Sequence, residues 1–387
     1  MPDQRTAAPA ASAGELLSAY RPGDAFFSTA TGVLHGTGAL HTLDRLDDLS
    51  AALADAGPDA VAMGALPFDT SGPAHLVVPE TVRRAPSPTE GPAPENRWRP
   101  LGEGWRLTPV PEPEAHVAAV ERAVKLMAED ADLRKVVLAR SLRVEGDEPI
   151  DVATVLANLL WRDPTAFVFA TDLPERGSGT RTLIGASPEL LVAKRGRDVL
   201  SNPLAGSAPR SADPTKDQRN AVDLLTSAKD RHEHAVVVDA VTESLRPFCR
   251  TLSVPTEPEL VKTATMWHLS TRVNGELTDP DVPVHTLAAA LHPTPAICGT
   301  PTGRAFDTIT DLEPFDRGFY TGAVGHSDAH GDGAWVVTIR CADVAGSTVD
   351  LFAGGGVMPE SDPEAELAET SAKLRTLLLA LGVNGTV

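Results

Sequence analysis

Cysteine is scarce. The 387 residues contain three, Cys249, Cys298 and Cys341, far apart and with no C-x-x-C pair. That excludes a disulfide framework and a cysteine-bound zinc. Positive charge is also short. Lys and Arg number 34 against 53 Asp and Glu, a formal net charge of -19. Such a chain repels nucleic acid and anionic membrane, so neither is an expected partner. Any anionic substrate would have to meet a local cluster of cations. No apolar run approaches the length of a membrane span. The first residues lack a basic start followed by an apolar core, so no secretory signal is expected, and a reducing cytoplasm fits. Familiar signatures are missing too: no P-loop, no G-x-G-x-x-G after a strand, no G-x-S-x-G and no H-E-x-x-H. No repeat of short period is present.

What the chain does have is core. Hydrophobic residues make up 42%, enough for one large domain or two ordinary ones. One domain is the expectation. Residues 1–14 read as a disordered tail and residues 15–387 as the folded body, with the proline-rich stretch 84–113 as a surface connection inside it. Short apolar runs at 166–171, 182–186, 190–194 and 199–204 lie close together, which suggests antiparallel meanders. Helical patterns cover 115–131, 215–226 and 228–245. Residues 134–144 alternate and are rich in β-branched side chains, so they read as a strand with Lys135, Val137 and Ala139 on one face. A lysine there is either paired, or lowered in pKa, or a strand-end lysine reaching for water. Residues 334–341 read as one apolar strand carrying Arg340, whose guanidinium suits a carboxylate.

The C-terminal stretch 351–373 combines two features. Gly354-Gly355-Gly356 reads as a turn where a ligand can reach the backbone. Asp362-Pro363 then starts a helix on which Glu366, Glu369 and Lys373 share a face. Asp230 and Glu233, three apart on the helix 228–245, mirror the first acidic pair. Two such pairs suit a hard cation bound by oxygen, Mg2+ above all. The plainer alternative is a solvated helix face with a Glu369–Lys373 ion pair. His232 and His234 are two apart and point to different sides of a helix, which disfavours zinc. Glu189 sits in a tight turn before Leu190-Leu191-Val192. It is either partly desolvated with a raised pKa or an ordinary exposed turn acid.

Several segments occur in a telling order: KVVLAR (135–140), GASPELL (185–191), SNPLAGSAPR (201–210), KDRHEH (229–234), LHPTPAICGTP (291–301), EPFDRGFYTGAVG (313–325), WVVTIRCA (335–342) and LFAGGG…ELAETSAKL (351–374). This set resembles the chorismate-utilising enzymes, and among them isochorismate synthases of the catecholate-siderophore type. N-terminal FFST and GALPFD…VVPE fit as well, so the resemblance covers nearly the whole chain. It implies an α/β (α+β) fold of one large domain, with two extensive, mostly antiparallel β-sheets packed together and helices outside. It implies an Mg2+-dependent isomerase that makes isochorismate from chorismate: water attacks C2 as the C4 hydroxyl leaves. The product would supply 2,3-dihydroxybenzoate for a siderophore or related compound.

By the same resemblance, Lys135 matches the general base and Glu189 the general acid. Glu233 and Glu369 match direct Mg2+ ligands, with Asp230 and Glu366 holding metal-bound waters. Arg340 and Lys373 match cations for the second carboxylate, and Gly354 a backbone contact. Gly206, His268, Ala296, Ile297, Tyr320 and Ile339 match pocket-lining positions. Two sister enzymes, anthranilate and aminodeoxychorismate synthases, use ammonia, usually from a glutaminase partner, and the aminodeoxychorismate type often carries P-I-K-G-T with a nucleophilic lysine. Here Pro203-Leu204-Ala205-Gly206-Ser207 has alanine at that place, so covalent lysine attack is not expected; the resemblance to the water-using type implies no glutaminase subunit. A monomer is expected. Salicylate synthase, which goes on to eliminate pyruvate, remains the alternative. The chain departs from the pattern at two places: Pro209 where relatives often have arginine, and Tyr320 where phenylalanine is usual. The Tyr320 hydroxyl bears on how tightly the enolpyruvyl group is held. A third reading is an acidic protein that only binds a divalent metal or a partner.

Overall fold

In the computed structural model, residues 11–89, 98–174 and 180–383 are described. Continuous apolar runs become interior strands. Val61–Leu66 and Arg181–Ser187 are buried at every position, as strands covered on both faces must be. The described residues form a ten-stranded sheet, a nine-stranded sheet and a small three-stranded sheet, with every strand pair antiparallel. The expected α/β fold of two packed antiparallel sheets with helices outside is therefore what the chain adopts.

The large sheets meet through a shared core. Phe27, Phe169 and Leu183 of the first face Val61, Val324 and Val336 of the second. Helices cover the outer faces. Val152–Arg162 and Pro363–Leu381 bury their leucines on the first sheet. Ala228–Leu245 and Val284–Leu291 pack beside Trp335 of the second. Local chemistry sets the helix starts. Asp151 caps one by accepting from Thr154 N, and Asp362 caps another by accepting from Ala365 N at 2.8 Å.

Two crossings between the sheets position the site. Arg181–Ser187 in the first sheet runs through Pro188-Glu189 into Leu190–Arg195 in the second. Gly333–Val337 in the second runs through Thr338–Arg340 into Cys341–Ala345 in the first. Residues 334–341 are thus two strands, not the single one expected. The break is a left-handed residue, Arg340, with φ 51°. The crossings are bonded to each other: Ala186 N donates to Arg340 O at 3.0 Å, Val337 N to Glu189 O at 3.1 Å, and Ser187 Oγ to Val337 O at 2.6 Å.

Three further expectations are corrected. The glycine triplet is no turn. It lies inside the strand Thr348–Val357, with Gly354, Gly355 and Gly356 opposite Ala139, Leu138 and Val137. Of the expected tail, residues 1–10 lie outside the described residues, while Ala13 and Gly14 already belong to a helix capped by Ser12. In the proline-rich stretch, residues 90–97 lie outside the described residues. Arg106–Val110 is a strand paired with Lys135–Glu145, because its extended backbone completes an otherwise open edge.

Arg317 ties the site's walls together. Its buried guanidinium donates to Ile297 O at 2.8 Å and Val137 O at 2.7 Å, and pairs with Glu313. Glu313 also accepts from Ala139 N at 2.8 Å. Glu313→Ala leaves that guanidinium uncompensated, so it should destabilise the fold by about 3–5 kcal/mol in urea denaturation. A loss below about 1 kcal/mol, the worth of a surface pair, would show that Arg317 does not depend on Glu313.

Candidate active site

The two crossings, the glycine strand and the C-terminal helix line a pocket with about 610 Å³ of empty space, open solvent at its mouth included. Glu189 and Arg340 reach it from the crossings, and Ile339 lies beside Arg340. Gly206 and His268 come from the small sheet, where Gly206 takes φ 76° at an irregularity in the pairing. Ala296 and Ile297 come from the proline-rich loop, and Tyr320 from the segment after Arg317. Gly354, Glu233, Glu369 and Lys373 complete the expected set on the wall. Lys135, Asp230 and Glu366 stand just behind it. Ala205 also faces the cavity.

Lys135 is fully buried on the strand face it shares with Val137. Its Nζ lies 2.9 Å from Glu233 Oε1, with no aligned hydrogen-bond acceptor. Glu189 is 3% exposed, not the exposed turn acid of the plainer reading. Burial pushes its carboxyl up to about 7, although Leu204 N and the nearby Lys135 and Arg340 pull the other way. Arg340 is buried among apolar walls, which lowers its pKa, and its Nη2 lies 3.4 Å from His268 Nε2. Burial and then Arg340 hold His268 well below its usual pKa, so it stays neutral and adds no charge. Tyr320 stacks on Phe352, with ring centroids 5.0 Å apart, and burial raises its hydroxyl pKa.

The acids cluster as the spacing suggested, but each acidic glutamate already has a cation. Glu369 accepts from Ser207 Oγ at 2.8 Å and pairs with Lys373 at 2.6 Å. Burial opposes its charge, yet Lys373 holds its carboxyl below the usual range. Glu366 accepts from Lys229 at 2.9 Å and Ser361 at 2.8 Å. Burial and then the charge of Glu369 raise its carboxyl. Asp230 is raised by burial, beside Gly206. Consequently, among the described residues no three acids or histidines are gathered into a ready metal site. The donors nonetheless fit a hard cation. They are all carboxylate oxygens, and Glu366 Oε2 is buried without a partner. His234 Nε2 lies 2.8 Å from Thr271 Oγ1.

The glycines explain this packing. A Cβ on Gly356 would lie 2.1 Å from Glu233 Oε1 and 2.9 Å from Lys135 Cε. One on Gly355 would lie 2.7 Å from Glu366 Oε2, on the opposite face. Sequence reading missed Lys229, Ser207, Ser361, Glu313 and Arg317 as parts of the site. Lys229 stood within the KDRHEH segment, but nothing local showed that it reaches another helix.

A cavity walled by buried cations and a protonatable acid, set between two antiparallel sheets, defines an α/β enzyme. The chain belongs to the chorismate binding enzyme family, which matches residues 101–382. It is 48% identical to isochorismate synthase DhbC of Bacillus subtilis (strain 168), over 96% of this chain and 97% of that protein. It is 41% identical to isochorismate synthase EntC of Escherichia coli (strain K12), over 84% of this chain and 82% of that one. A Bacillus anthracis structure, DhbC, solved as a candidate 2,3-dihydroxybenzoate-specific isochorismate synthase, superposes with TM-score 0.89. It shares 45% identity and covers 95% of this chain and 99% of that one.

Proposed function

We propose that this enzyme isomerises chorismate to isochorismate with Mg2+ as cofactor, and that the product supplies 2,3-dihydroxybenzoate for a siderophore or related compound. The observation that carries the reaction is that one interior seam holds both Glu189, a buried carboxyl pushed up to about 7 by desolvation, and the fully buried Lys135. In this reaction Lys135 takes a proton from the water that attacks C2. Glu189 gives a proton to the C4 oxygen as it leaves. One water enters and one leaves, so the product has the substrate's mass. Arg340 and Lys373 hold the second carboxylate, with a backbone contact at Gly354. Glu233 and Glu369 would hold Mg2+ directly and Asp230 and Glu366 through water, and the ion would neutralise the ring carboxylate. Gly206, His268, Ala296, Ile297, Tyr320 and Ile339 shape the remaining wall.

Ala205 on the cavity wall leaves no lysine there for covalent attack. We take water as the nucleophile and no glutaminase partner. The three cysteines are free, which supports a reducing cytoplasm. No helix of the described residues is long and apolar enough to cross a membrane. We take the enzyme to act as a monomer.

Incubating the protein with chorismate and Mg2+, with and without EDTA, and separating products with mass detection tests the reading. An Mg2+-dependent isomer of chorismate is the expected product. Salicylate and pyruvate would move the enzyme to the sister reaction and point to Tyr320. No turnover would leave a binding protein. Gly356→Ala should lower turnover by about 10²-fold by displacing Glu233 and Lys135 together. Wild-type rates in that variant would show that the close approach at Gly356 is not needed.

A further inference from the structure

In a chain with 53 acidic residues and 34 Lys and Arg, a buried arginine readily finds an acid. Arg181 pairs with Asp343, Arg210 with Asp217 and Arg317 with Glu313. Two arginines are left with a donor unmet. Arg162 and Arg340 each have a buried Nε without a hydrogen-bond partner. Burial lowers the pKa of both, and at Arg162 the charge of Arg375 adds to that. The two meet in one place. A hollow with about 320 Å³ of empty space, open solvent at its mouth included, is lined by Arg162, Arg340, Thr376 and Ala264, with Leu159 and Ala186 as apolar wall. Among the described residues, Arg340 is the single one that lines both this hollow and the substrate cavity.

We propose that the hollow is a second anion site, for a small oxyanion, phosphate or carboxylate, and that its occupant weakens chorismate binding through Arg340. The second half rests on the reading above, in which Arg340 holds a substrate carboxylate.

A buried N–H without an acceptor is costly, and guanidinium groups match the paired oxygens of a carboxylate or phosphate. Among the described residues no acceptor reaches either Nε. The acid on the lining, Asp163, is turned to its own loop: its Oδ1 accepts from Thr165 N at 3.2 Å and Thr165 Oγ1 at 2.7 Å. The wall is fixed, because Thr376 Oγ1 on the C-terminal helix lies 2.8 Å from Thr265 Oγ1 in the turn that carries Ala264. The sign of the coupling follows from charge. An anion held at Arg340 shares the cation that the substrate carboxylate needs and repels that carboxylate. The effect is reciprocal, so chorismate weakens the anion by the same factor.

Calorimetric titration of inorganic phosphate and, separately, acetate into the full-length wild type, Arg162→Gln and Ala264→Asp tests the site, without Mg2+ or substrate and with chloride holding the ionic strength. At least one anion should bind the wild type, and the tighter one names the class. Arg162→Gln should weaken it by about tenfold or more, the worth of a charged hydrogen bond. Ala264→Asp adds a negative charge at an exposed position of the lining and should weaken it too; it decides alone should Arg162→Gln fail to fold. Equal binding to all three proteins would put the anion elsewhere, the substrate cavity included, and overturn the site. No binding would leave the hollow to water and overturn it as well. In steady-state rates at constant free Mg2+, the bound anion should raise the chorismate KM of the wild type by about fivefold to a plateau, with kcat unchanged, and should do so far less in Arg162→Gln. A KM that does not move, or one that rises without a plateau and equally in Arg162→Gln, overturns the coupling. The titration needs no substrate, so a protein that fails to turn over chorismate would sink the reaction reading while the anion site is still judged.

Discussion

Glu189→Gln should lower turnover by about 10²–10⁴-fold, the range for loss of a general acid, and should make the protein more stable at alkaline pH. The two effects share one cause. Burial raises this carboxyl from the ordinary 4.5 to about 7. Between those values the folded chain keeps a proton that the unfolded chain has released. Stability therefore falls as pH rises through that window, by on the order of 3 kcal/mol. Glutamine keeps the shape, cannot ionise and cannot donate the proton. Urea denaturation at several pH values should show the wild-type slope and its loss in the variant. The rate with chorismate should fall as pH passes about 7 in the wild type, as the acid ionises. A glutamine variant with full turnover would remove Glu189 from the reaction. An unchanged stability slope would show that Glu189 does not hold the proton.

Lys135→Ala should lower turnover by a similar factor, about 10²–10⁴-fold. The arginine variant sharpens the point. An arginine can keep the charge beside Glu233 but cannot give up its proton near neutral pH. If Lys135 is the base, Lys135→Arg stays inactive even where it restores stability. If Lys135 only compensates Glu233, arginine recovers both. Steady-state rates and melting curves for the two variants, in Mg2+ and in EDTA, separate these outcomes. The alanine variant should also melt lower in EDTA, because Glu233 then loses its paired cation.

Much of this molecule was readable in its sequence because the signals are local. Alternation placed Lys135 and Val137 on one face of a strand, and that face does adjoin the cavity. Spacings of three and four placed Glu366, Glu369 and Lys373 together, and Asp362 with Pro363 does open that helix. An apolar run after Glu189 implied desolvation, and Glu189 is buried. These are properties of a few consecutive residues, set by helical and strand periods.

The rest depended on chain segments far apart in sequence. The glycine triplet carries the same three letters in a turn or a strand. Only pairing with Ala139, Leu138 and Val137, and two carboxylates pressed against the missing side chains, made it a strand. The apolar run 334–341 gave no sign of its break. The break exists because two sheets must be joined there, and the left-handed Arg340 turns the chain from one to the other. Lys229 reaching Glu366, and Arg317 reaching Val137 and Ile297, span segments that no period connects. Composition and spacing thus determined which chemical groups the chain owns and which helix or strand face each occupies. Tertiary packing alone decided which acid meets which cation, because that depends on burial and on distances of a few ångströms between segments that only the folded sheets bring together.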